Sequence, residues 1–295
     1  MTWTLATLTY RVAREIGVDF LKTGTATGGN TTTVADTNDR TEADDFWNSG
    51  SIWIVYDAGG AGAAPEGQYS AISDFANTGG VVTLRTALTI AAASGDRYAI
   101  TKDHFPLNLL NESVNHALFN MGRIPITDIT SLTIAANQTE YSVPIAANTD
   151  LREVWIQGQT DDSNDNRWIK LYNWYLQRTA TGTADLLILP SQPPTDYDLK
   201  LVYLDSHPQL FLYGDKLSET VPYERVIYPA ALYCMRWWRD KYRDDRYKER
   251  ILELEALEDR AKRMHPIPSP PRTPRGIVTR KLWTTQGDYY RVNLG

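Results

Sequence analysis

Four histidines are the side chains best suited to acid–base catalysis or metal binding near neutral pH. They are His104, His116, His207 and His265. No two of them fall in a zinc-binding spacing such as HExxH, and the single cysteine, Cys234, has no second thiol to join it. We therefore predict structural roles. His116 lies near the apolar side of a predicted helix, and His265 ends one, where a cation interacts favourably with the helix dipole.

The glycine and serine motifs of nucleotide binding and hydrolysis are missing. Glycine pairs occur at Gly28–Gly29, Gly59–Gly60 and Gly79–Gly80, but none belongs to GxGxxG or to GxxxxGK[ST]. The chain also lacks the GxSxG turn that presents a nucleophilic serine. We therefore predict that the protein is not an enzyme and that it holds no cofactor or metal.

Two acidic segments, residues 36–45 and 160–166, could in principle bind calcium. The calcium loop of an EF-hand needs a central glycine and a terminal glutamate in register, and neither segment has them. Solvated surface loops are therefore the favoured interpretation of both segments.

Two adjacent tryptophans, Trp237 and Trp238, lie among arginines in a pattern that could stack on nucleic-acid bases. Acids at Asp240, Asp244 and Asp245 offset the positive charge of these arginines. Packing against neighbouring helices or subunits is therefore favoured, and both tryptophans are candidate interface residues.

Length and composition favour a soluble globular protein with sizeable cores. The chain has 295 residues, of which 42% are hydrophobic and 22% are charged. We find no apolar run of about 18 residues that would predict a membrane span, and the N-terminus lacks a signal-peptide pattern. One cysteine cannot form an internal disulfide, which predicts folding in a reducing cytoplasm.

Charge is distributed unevenly along the chain. Residues 260–295 contain eight Lys or Arg and one acid, a net charge of +7, while the rest contains 22 basic and 35 acidic residues, a net charge of −13. An acidic body with a basic tail suggests a tail that binds an acidic surface, and a merely solvated tail is the alternative.

Hydrophobic periodicity predicts an α+β fold: a helical bundle with a long C-terminal helix, two antiparallel β modules and an extended C-terminal arm. The long helix is predicted to be continuous or broken once, and Pro229 is expected to kink it or to mark its true start. The predicted segments are helical elements at 1–17 and 103–127, an inserted β module at 18–102, a second β region at 128–221, the long helix at 222–265 and a proline-rich basic arm at 266–295.

The segment FPLNLLNESVNHALFNMGRIPITDITSLTIAANQTEYSVP resembles one that is common in the neck and adaptor proteins of tailed bacteriophages. The similarity continues through DLREVWIQG, RWIKLYNWYLQR, DLKLVYLDSHPQL and the helix that opens with VPYERVIYPAALYCMRW. It covers about residues 103–265 and rests on a succession of elements rather than on an invariant motif. The inserted β module also resembles one found in phage virion proteins.

The resemblance implies a structural, non-enzymatic virion protein, the head-to-tail adaptor or connector. Such adaptors form homo-oligomeric rings, typically dodecamers, that bind the portal protein and the tail or the next neck ring. Genomic DNA would pass through the ring without specific binding. The protein would be made in the host cytoplasm, act in the neck of the virion and involve no membrane.

The C-terminal arm is the predicted docking element, because adaptors of this kind reach into a neighbouring ring with an extended arm. Its prolines limit the entropy that is lost when the arm becomes ordered. The candidate interface residues of the arm are Arg272, Arg275, Arg280, Lys281, Trp283, Tyr289, Tyr290 and Arg291.

Two other function classes stay open at this point. A tail or baseplate module that recognises a glycan or a host surface could use the nine tryptophans for stacking on sugars, but it leaves the long helix and the arm unexplained. A cell-wall hydrolase would need a pair of carboxylates, and no specific pair stands out.

Overall fold

The computed structural model contains two compact units. Unit 1 consists of Met1–Gly122 and His207–Ile267, and unit 2 contains Arg123–Ser206. No helix in the described part of the chain is long and apolar enough to cross a membrane. The residues that the structure describes are 2–17, 20–60, 62–135, 137–144, 150–157, 168–177, 184–189, 198–243, 246–267 and 270.

Helix α1, Leu5–Ile16, begins unit 1 and is fixed at its start by a capping box. The hydroxyl of Thr4 accepts a hydrogen bond from the backbone N–H of Thr7, and the hydroxyl of Thr7 accepts one from the N–H of Thr4. A helix is therefore present within residues 1–17, where one was predicted, and its apolar face is buried. Its buried members are Leu5, Leu8, Val12 and Ile16.

A seven-stranded antiparallel sheet follows α1 in unit 1. Its strands are β1 (Leu21–Thr25), β2 (Gly28–Gly29), β3 (Thr33–Ala35), β4 (Ser51–Tyr56), β5 (Tyr69–Ala76), β6 (Val81–Leu84) and β7 (Arg97–Thr101). They pair in the order β1-β7-β4-β5-β6-β3-β2. Alternating side chains such as Ile72, Val82 and Ile100 form one core. The short strands predicted in this part of the chain are therefore present.

Helix α2, Leu107–Asn120, follows the sheet. Its N-cap is Pro106, which makes no side-chain cap. Gly122, with a left-handed φ of 84°, separates the helix from the next strand. Residues 123–127, which the sequence predicts to be helical, are strand instead.

The prediction of one long helix at 222–265 is wrong, because this segment forms two separate helices. Helix α3 covers Glu224–Tyr242 and helix α4 covers Lys248–Met264. The break falls at Arg243, whose φ of 50° is left-handed. Pro229, where a kink was expected, lies inside α3.

Packing between the two helices accounts for the break. Arg236 of α3 forms an ion pair of 2.7 Å with Glu255 of α4, so the middles of the two helices lie side by side. The apolar side chains Ile251, Leu254 and Ala261 of α4 are buried. One straight helix would leave this apolar side without a partner in the chain, whereas the hairpin buries it.

Unit 2 consists of two antiparallel sheets with one shared core. Its strands are β8 (Arg123–Thr133), β9 (Glu140–Ser142), β10 (Leu151–Gln157), β11 (Trp168–Leu171), β12 (Tyr175–Gln177), β13 (Leu186–Ile188) and β14 (Asp198–Ser206). The strand orders are β11-β10-β14-β8 and β12-β13-β9. Tyr141 and Leu187 of the smaller sheet pack with Val154 and Leu201 of the larger one.

The predicted helical bundle is also wrong. The described residues form four helices and fourteen strands in three antiparallel sheets. The mixed α+β class holds, but the first sheet and the pair of sheets in unit 2 have apolar cores of their own. The sheets therefore do not depend on a helical scaffold for burial.

Because Arg243 has a left-handed φ, we expect that its replacement by glycine stabilises the protein. Arg243→Gly should raise the free energy of unfolding by up to about 1 kcal/mol, because glycine adopts this φ without the steric cost that a Cβ brings. The matched control, Arg239→Gly inside α3, should lower it by about 1 kcal/mol. Urea unfolding of both variants would measure the difference. Equal losses would contradict this account of the helix break.

Candidate functional site

The described part of the chain does not gather its histidines and acids into a metal-type site. No group of three or more His, Cys, Asp or Glu side chains among the described residues could hold a metal ion. The ring of His104 stacks on Trp238 at 4.6 Å, and its Nδ1 lies 3.1 Å from a carboxylate oxygen of Asp103. His116 contacts the ring of Tyr233 at 4.5 Å. These contacts are structural.

The two candidate tryptophans of α3 have different surroundings. Trp238 is 5% exposed, and its ring packs against Phe20 and Phe105 at 5.6 and 5.4 Å. Trp237 is half-buried, and the ammonium of Lys241 lies 4.5 Å from its ring centroid. The Trp238 ring is therefore engaged inside unit 1, and an interface role for either tryptophan stays a prediction.

Two predicted features lie outside the described residues. One is the second acidic segment, 160–166. The other is the set of arm candidates, namely Arg272, Arg275, Arg280, Lys281, Trp283, Tyr289, Tyr290 and Arg291.

The loop before α3 carries two large apolar side chains that are strongly exposed. Phe211 is 72% exposed and Leu212 is 68% exposed, and Tyr213 beside them is also exposed. We call Phe211–Tyr213 the apolar tip. Full burial of one such side chain contributes about 1.5–3 kcal/mol. A contiguous exposed pair in an ordered loop is therefore a candidate contact surface.

A turn around Asp215 holds the apolar tip in one conformation. The Oδ2 atom of Asp215 accepts hydrogen bonds from the backbone N–H groups of Phe211 and Leu212, at 2.7 and 2.8 Å. The N–H of Asp215 donates in return to the carbonyl of Leu212 at 3.0 Å. The bonds from Leu212 and Phe211 lower the pKa of Asp215, so the carboxylate remains an acceptor well into the acidic range.

The start of α1 depends on the same loop. The N–H groups of Leu5 and Ala6 donate to the carbonyls of Asp215 and Tyr213, at 2.8 and 3.1 Å. N–H groups in the first turn of a helix have no acceptor within the helix. The loop therefore satisfies two donors of α1, and α1 in turn fixes the loop.

Side chains of α2 and β5 support the tip from the other side. The amide of Asn115 makes two hydrogen bonds with the backbone of Leu210: its Oδ1 accepts from the N–H at 2.8 Å, and its Nδ2 donates to the carbonyl at 2.9 Å. Tyr213 packs edge-on against the ring of Tyr69 at 6.4 Å, and the hydroxyl of Tyr69 accepts from Asn111 at 3.2 Å.

His207 closes the base of this loop. Its Nε2 accepts the backbone N–H of Ser218 at 2.9 Å. The proton must therefore lie on Nδ1, which donates to the carbonyl of Pro208 at 2.7 Å. Burial lowers the pKa of His207. The neutral ring is the form that fits this hydrogen-bond pattern, because a protonated Nε2 cannot accept.

Unit 2 carries alternating aromatic and lysine side chains on the exposed side of its larger sheet. Trp155 of β10 is paired across the sheet with Lys170 of β11 on one side and Lys200 of β14 on the other. The ammonium of Lys200 lies 4.5 Å from the ring centroid of Trp155 and 4.9 Å from that of Trp168. We call this surface the aromatic–lysine face. Its members are Glu153, Trp155, Trp168, Lys170, Tyr172 and Lys200.

The two lysines of the aromatic–lysine face differ in their partners. Lys170 forms an ion pair with Glu153, whose other oxygen accepts from the indole N–H of Trp155 at 2.9 Å. No described carboxylate lies within ion-pair distance of Lys200. Burial lowers the pKa of Lys200, and the more distant charge of Glu153 opposes this shift.

The first acidic segment is not simply solvated, because Asp36 and Arg40 are buried. The hydroxyl of Tyr98 donates to Asp36 at 2.6 Å and accepts from Nε of Arg40 at 2.7 Å. Burial and the hydrogen bond to Asp36 raise the pKa of Tyr98. A Cβ at Gly24 would lie 2.5 Å from the Tyr98 hydroxyl, so only glycine fits beside this network.

The same network orders a surface loop with three exposed carboxylates. The Oδ1 atom of Asp36 accepts the backbone N–H groups of Asn38 and Asp39, at 3.1 and 3.0 Å. Asp39, Asp44 and Asp45 are exposed, and Oδ1 of Asp44 accepts a hydrogen bond from the backbone N–H of Asn77 at 2.7 Å. We call residues 37–46 the acidic loop.

A scan against protein-family models gave no match to this chain, and a search of curated proteins gave none either.

The sequence contains a signal for the apolar tip that the segment prediction missed. The triplet Phe211-Leu212-Tyr213 is bracketed by Pro208 and by Gly214. Such breakers mark a loop, so an apolar triplet between them is a candidate surface. The prediction assigned the triplet to a second β region that ended at residue 221, whereas the last strand ends at Ser206.

His207 predicts a pH dependence of stability. Its folded pKa lies below the unfolded value of about 6.5, so the unfolded state binds more protons once the pH falls below that value. The stabilisation is fully present above about pH 6.5 and is lost as the pH falls through the folded pKa. In His207→Gln, the amide can still accept from Ser218 but does not titrate. Urea unfolding from pH 7.5 to 5.5 should show a smaller loss for this variant. Identical slopes would contradict the assignment.

Proposed function

We propose that this protein is a structural subunit of a larger protein assembly. The observation that carries the proposal is the apolar tip, in which Phe211 and Leu212 are held outward by hydrogen bonds to Asp215, Asn115 and the start of α1. A flexible loop could turn these side chains away from water, but this one is fixed.

Magnitudes favour a protein–protein contact for the tip. Burial of Phe211 and Leu212 against a partner would contribute about 3–6 kcal/mol in total, at about 1.5–3 kcal/mol for each side chain. Because the loop is already ordered, little conformational entropy is lost on binding. Phe119 of α2 is 76% exposed and lies one helical turn beyond Asn115, which clamps the loop. A preformed aromatic or aliphatic anchor of this kind suits the centre of a binding interface.

The particular assembly that we propose is the neck of a tailed bacteriophage, with this chain as the ring-forming head-to-tail adaptor. The support is the similarity of residues 103–265 to neck and adaptor proteins, in the order of helix, strands and second helical part. The proposed partners are further copies of the chain, the portal protein and the tail or next neck ring. A net charge of −6 suits a channel wall that does not hold DNA tightly, because phosphates are repelled.

The proposal predicts that removing the tip weakens assembly and leaves the fold intact. Phe211→Ser with Leu212→Ser should weaken the contact by about 2 kcal/mol or more for each side chain. The free energy of unfolding should stay within about 0.5 kcal/mol of the wild-type value, because both side chains are exposed before binding. Native mass spectrometry of the purified chain would measure self-association, and quantitative mass spectrometry of phage particles would measure incorporation.

The matched control is Ile90→Ser, which removes another exposed apolar side chain of unit 1, 54% exposed, outside the tip. It should change neither self-association nor incorporation. If the double variant behaves like this control in both measurements, the tip is not a contact and the proposal is wrong. Electron cryomicroscopy of particles tests the finer statement, because the chain must then lie between the capsid and the tail.

A further inference from the structure

Lys200 is an ammonium group that is already ordered but has no described carboxylate partner. Its ammonium lies over the rings of both Trp155 and Trp168, within 5 Å of each centroid. Lys170 occupies the equivalent cross-strand position on the other side of Trp155, and it has Glu153 as its ion-pair partner. Lys170 therefore has an ion-pair partner on the face, whereas Lys200 has none among the described residues.

We propose that the aromatic–lysine face of one copy binds the acidic loop of a second copy, with a loop carboxylate as the anion that pairs with Lys200. This inference rests on the proposed function and deepens it by naming the two surfaces of a contact between subunits.

The charges of the face favour a protein carboxylate over a nucleic acid. Lys170 and Lys200 are opposed by Glu153 and by Asp198, which lies on the same side of β14 at its start. With Asp198 counted beside the face, these two cations and two anions carry no net charge. A phosphate backbone would meet as many like charges as opposite ones, whereas a single carboxylate needs to approach only Lys200, from which Glu153 lies beyond ion-pair distance.

The rings also disfavour a sugar as the occupant. Glycans stack on free faces of aromatic rings, but lysine ammonium groups already lie over Trp155 and Trp168. A carboxylate needs only the ammonium, which already lies against the two rings in the free subunit. A charge-assisted hydrogen bond to this ammonium would form with little further ordering.

The acidic loop is the complementary surface on this chain. The only basic residue within the loop is Arg40, and its guanidinium is turned inward to Asp36, Glu42 and Tyr98. The exposed carboxylates are those of Asp39, Asp44 and Asp45. Lys102 lies at the rim, with its ammonium over the ring of Phe46. The buried network fixes the loop, so neither side of the contact has to become ordered.

Two different surfaces that meet in this way form a heterologous contact. Each copy then offers a face to one neighbour and a loop to the other, and such contacts close into a ring when the rotation between copies allows it. The contact needs no symmetry within the pair, and it uses surfaces other than the apolar tip.

A charge-swap experiment on the full chain tests this inference. The measurement is the dissociation constant for self-association, by sedimentation velocity at low and at high salt. Lys200→Glu should weaken self-association about tenfold or more at low salt, because it removes the cation and repels the loop. Asp39→Lys should weaken it as well, and Asp39 is chosen because its carboxylate makes no hydrogen bond or ion pair with a described residue.

The combined variant, Lys200→Glu with Asp39→Lys, should return the dissociation constant to within about threefold of wild type, which a folding defect in either single variant could not do. Lys22→Glu, at an exposed lysine of β1, is the matched control and should have no effect. An unchanged dissociation constant in Lys200→Glu, or no recovery in the combined variant, overturns the inference.

The outcomes also separate this contact from the assembly proposal. If the apolar-tip variant loses assembly while Lys200→Glu keeps it, the assembly proposal stands and the face-to-loop contact is wrong. If Lys200→Glu instead loses binding to a single-stranded oligonucleotide or to an acidic glycan and still self-associates, the face has a different occupant and the inference is again wrong.

Discussion

The hydrogen bonds between the start of α1 and the loop before α3 are the constraint on which much of unit 1 depends. The carbonyls of Tyr213 and Asp215 accept the N–H groups of Ala6 and Leu5, and the carbonyl of Trp3 accepts the N–H of Leu217 at 2.8 Å. These bonds join two segments that are far apart in the sequence. If the loop moved, two helix donors would lose their acceptors, at a cost of about 1–3 kcal/mol each where the donors are buried. This cost explains why an exposed phenylalanine and leucine do not turn inward.

Local periodicity was enough to predict the elements whose partners lie nearby. Helix α1 follows from the spacing of Leu5, Leu8, Val12 and Ile16, and the strands of unit 1 follow from short β-rich runs between turn residues. Both signals report which side of an element is buried. They do not report what covers it, so the first sheet was assigned to a module inserted in a helical bundle.

The break in the predicted long helix shows where local information ends. The residues around Arg243 form a mixed-charge run without glycine or proline, and such a run is compatible with an uninterrupted helix. The break is decided by tertiary packing, because the apolar side of α4 is buried only when α4 folds back along α3. The burial of Asp36 is similar, since its partner Tyr98 lies on a strand distant in sequence.

Part of the candidate surface could be predicted and part could not. The alternation in REVWIQ and RWIKLY places Trp155 and Lys170 on the sides of their strands opposite to the buried aliphatic residues. The cross-strand register that sets Lys200 beside Trp155 depends on a bulge near the start of β10 and is not visible in the sequence. Adjacent residues of a helix point about 100° apart, so one of the two tryptophans of α3 should lie inside and the other near the surface. The packing of Trp238 on His104 shows that Trp238 is the inner one.

Four polar side chains of unit 1 share another property. Asp36, Asn115, His207 and Asp215 each make hydrogen bonds to backbone groups of a loop. Replacing a buried polar network with apolar side chains is often neutral or stabilising, so added stability is a weak explanation for such groups. Backbone hydrogen bonds, however, specify one loop conformation, which apolar packing does less well. We therefore attribute to these four residues the shape of the acidic loop and of the apolar tip. A protein that binds through preformed loops needs polar groups at their bases, and those are the positions at which this chain has them.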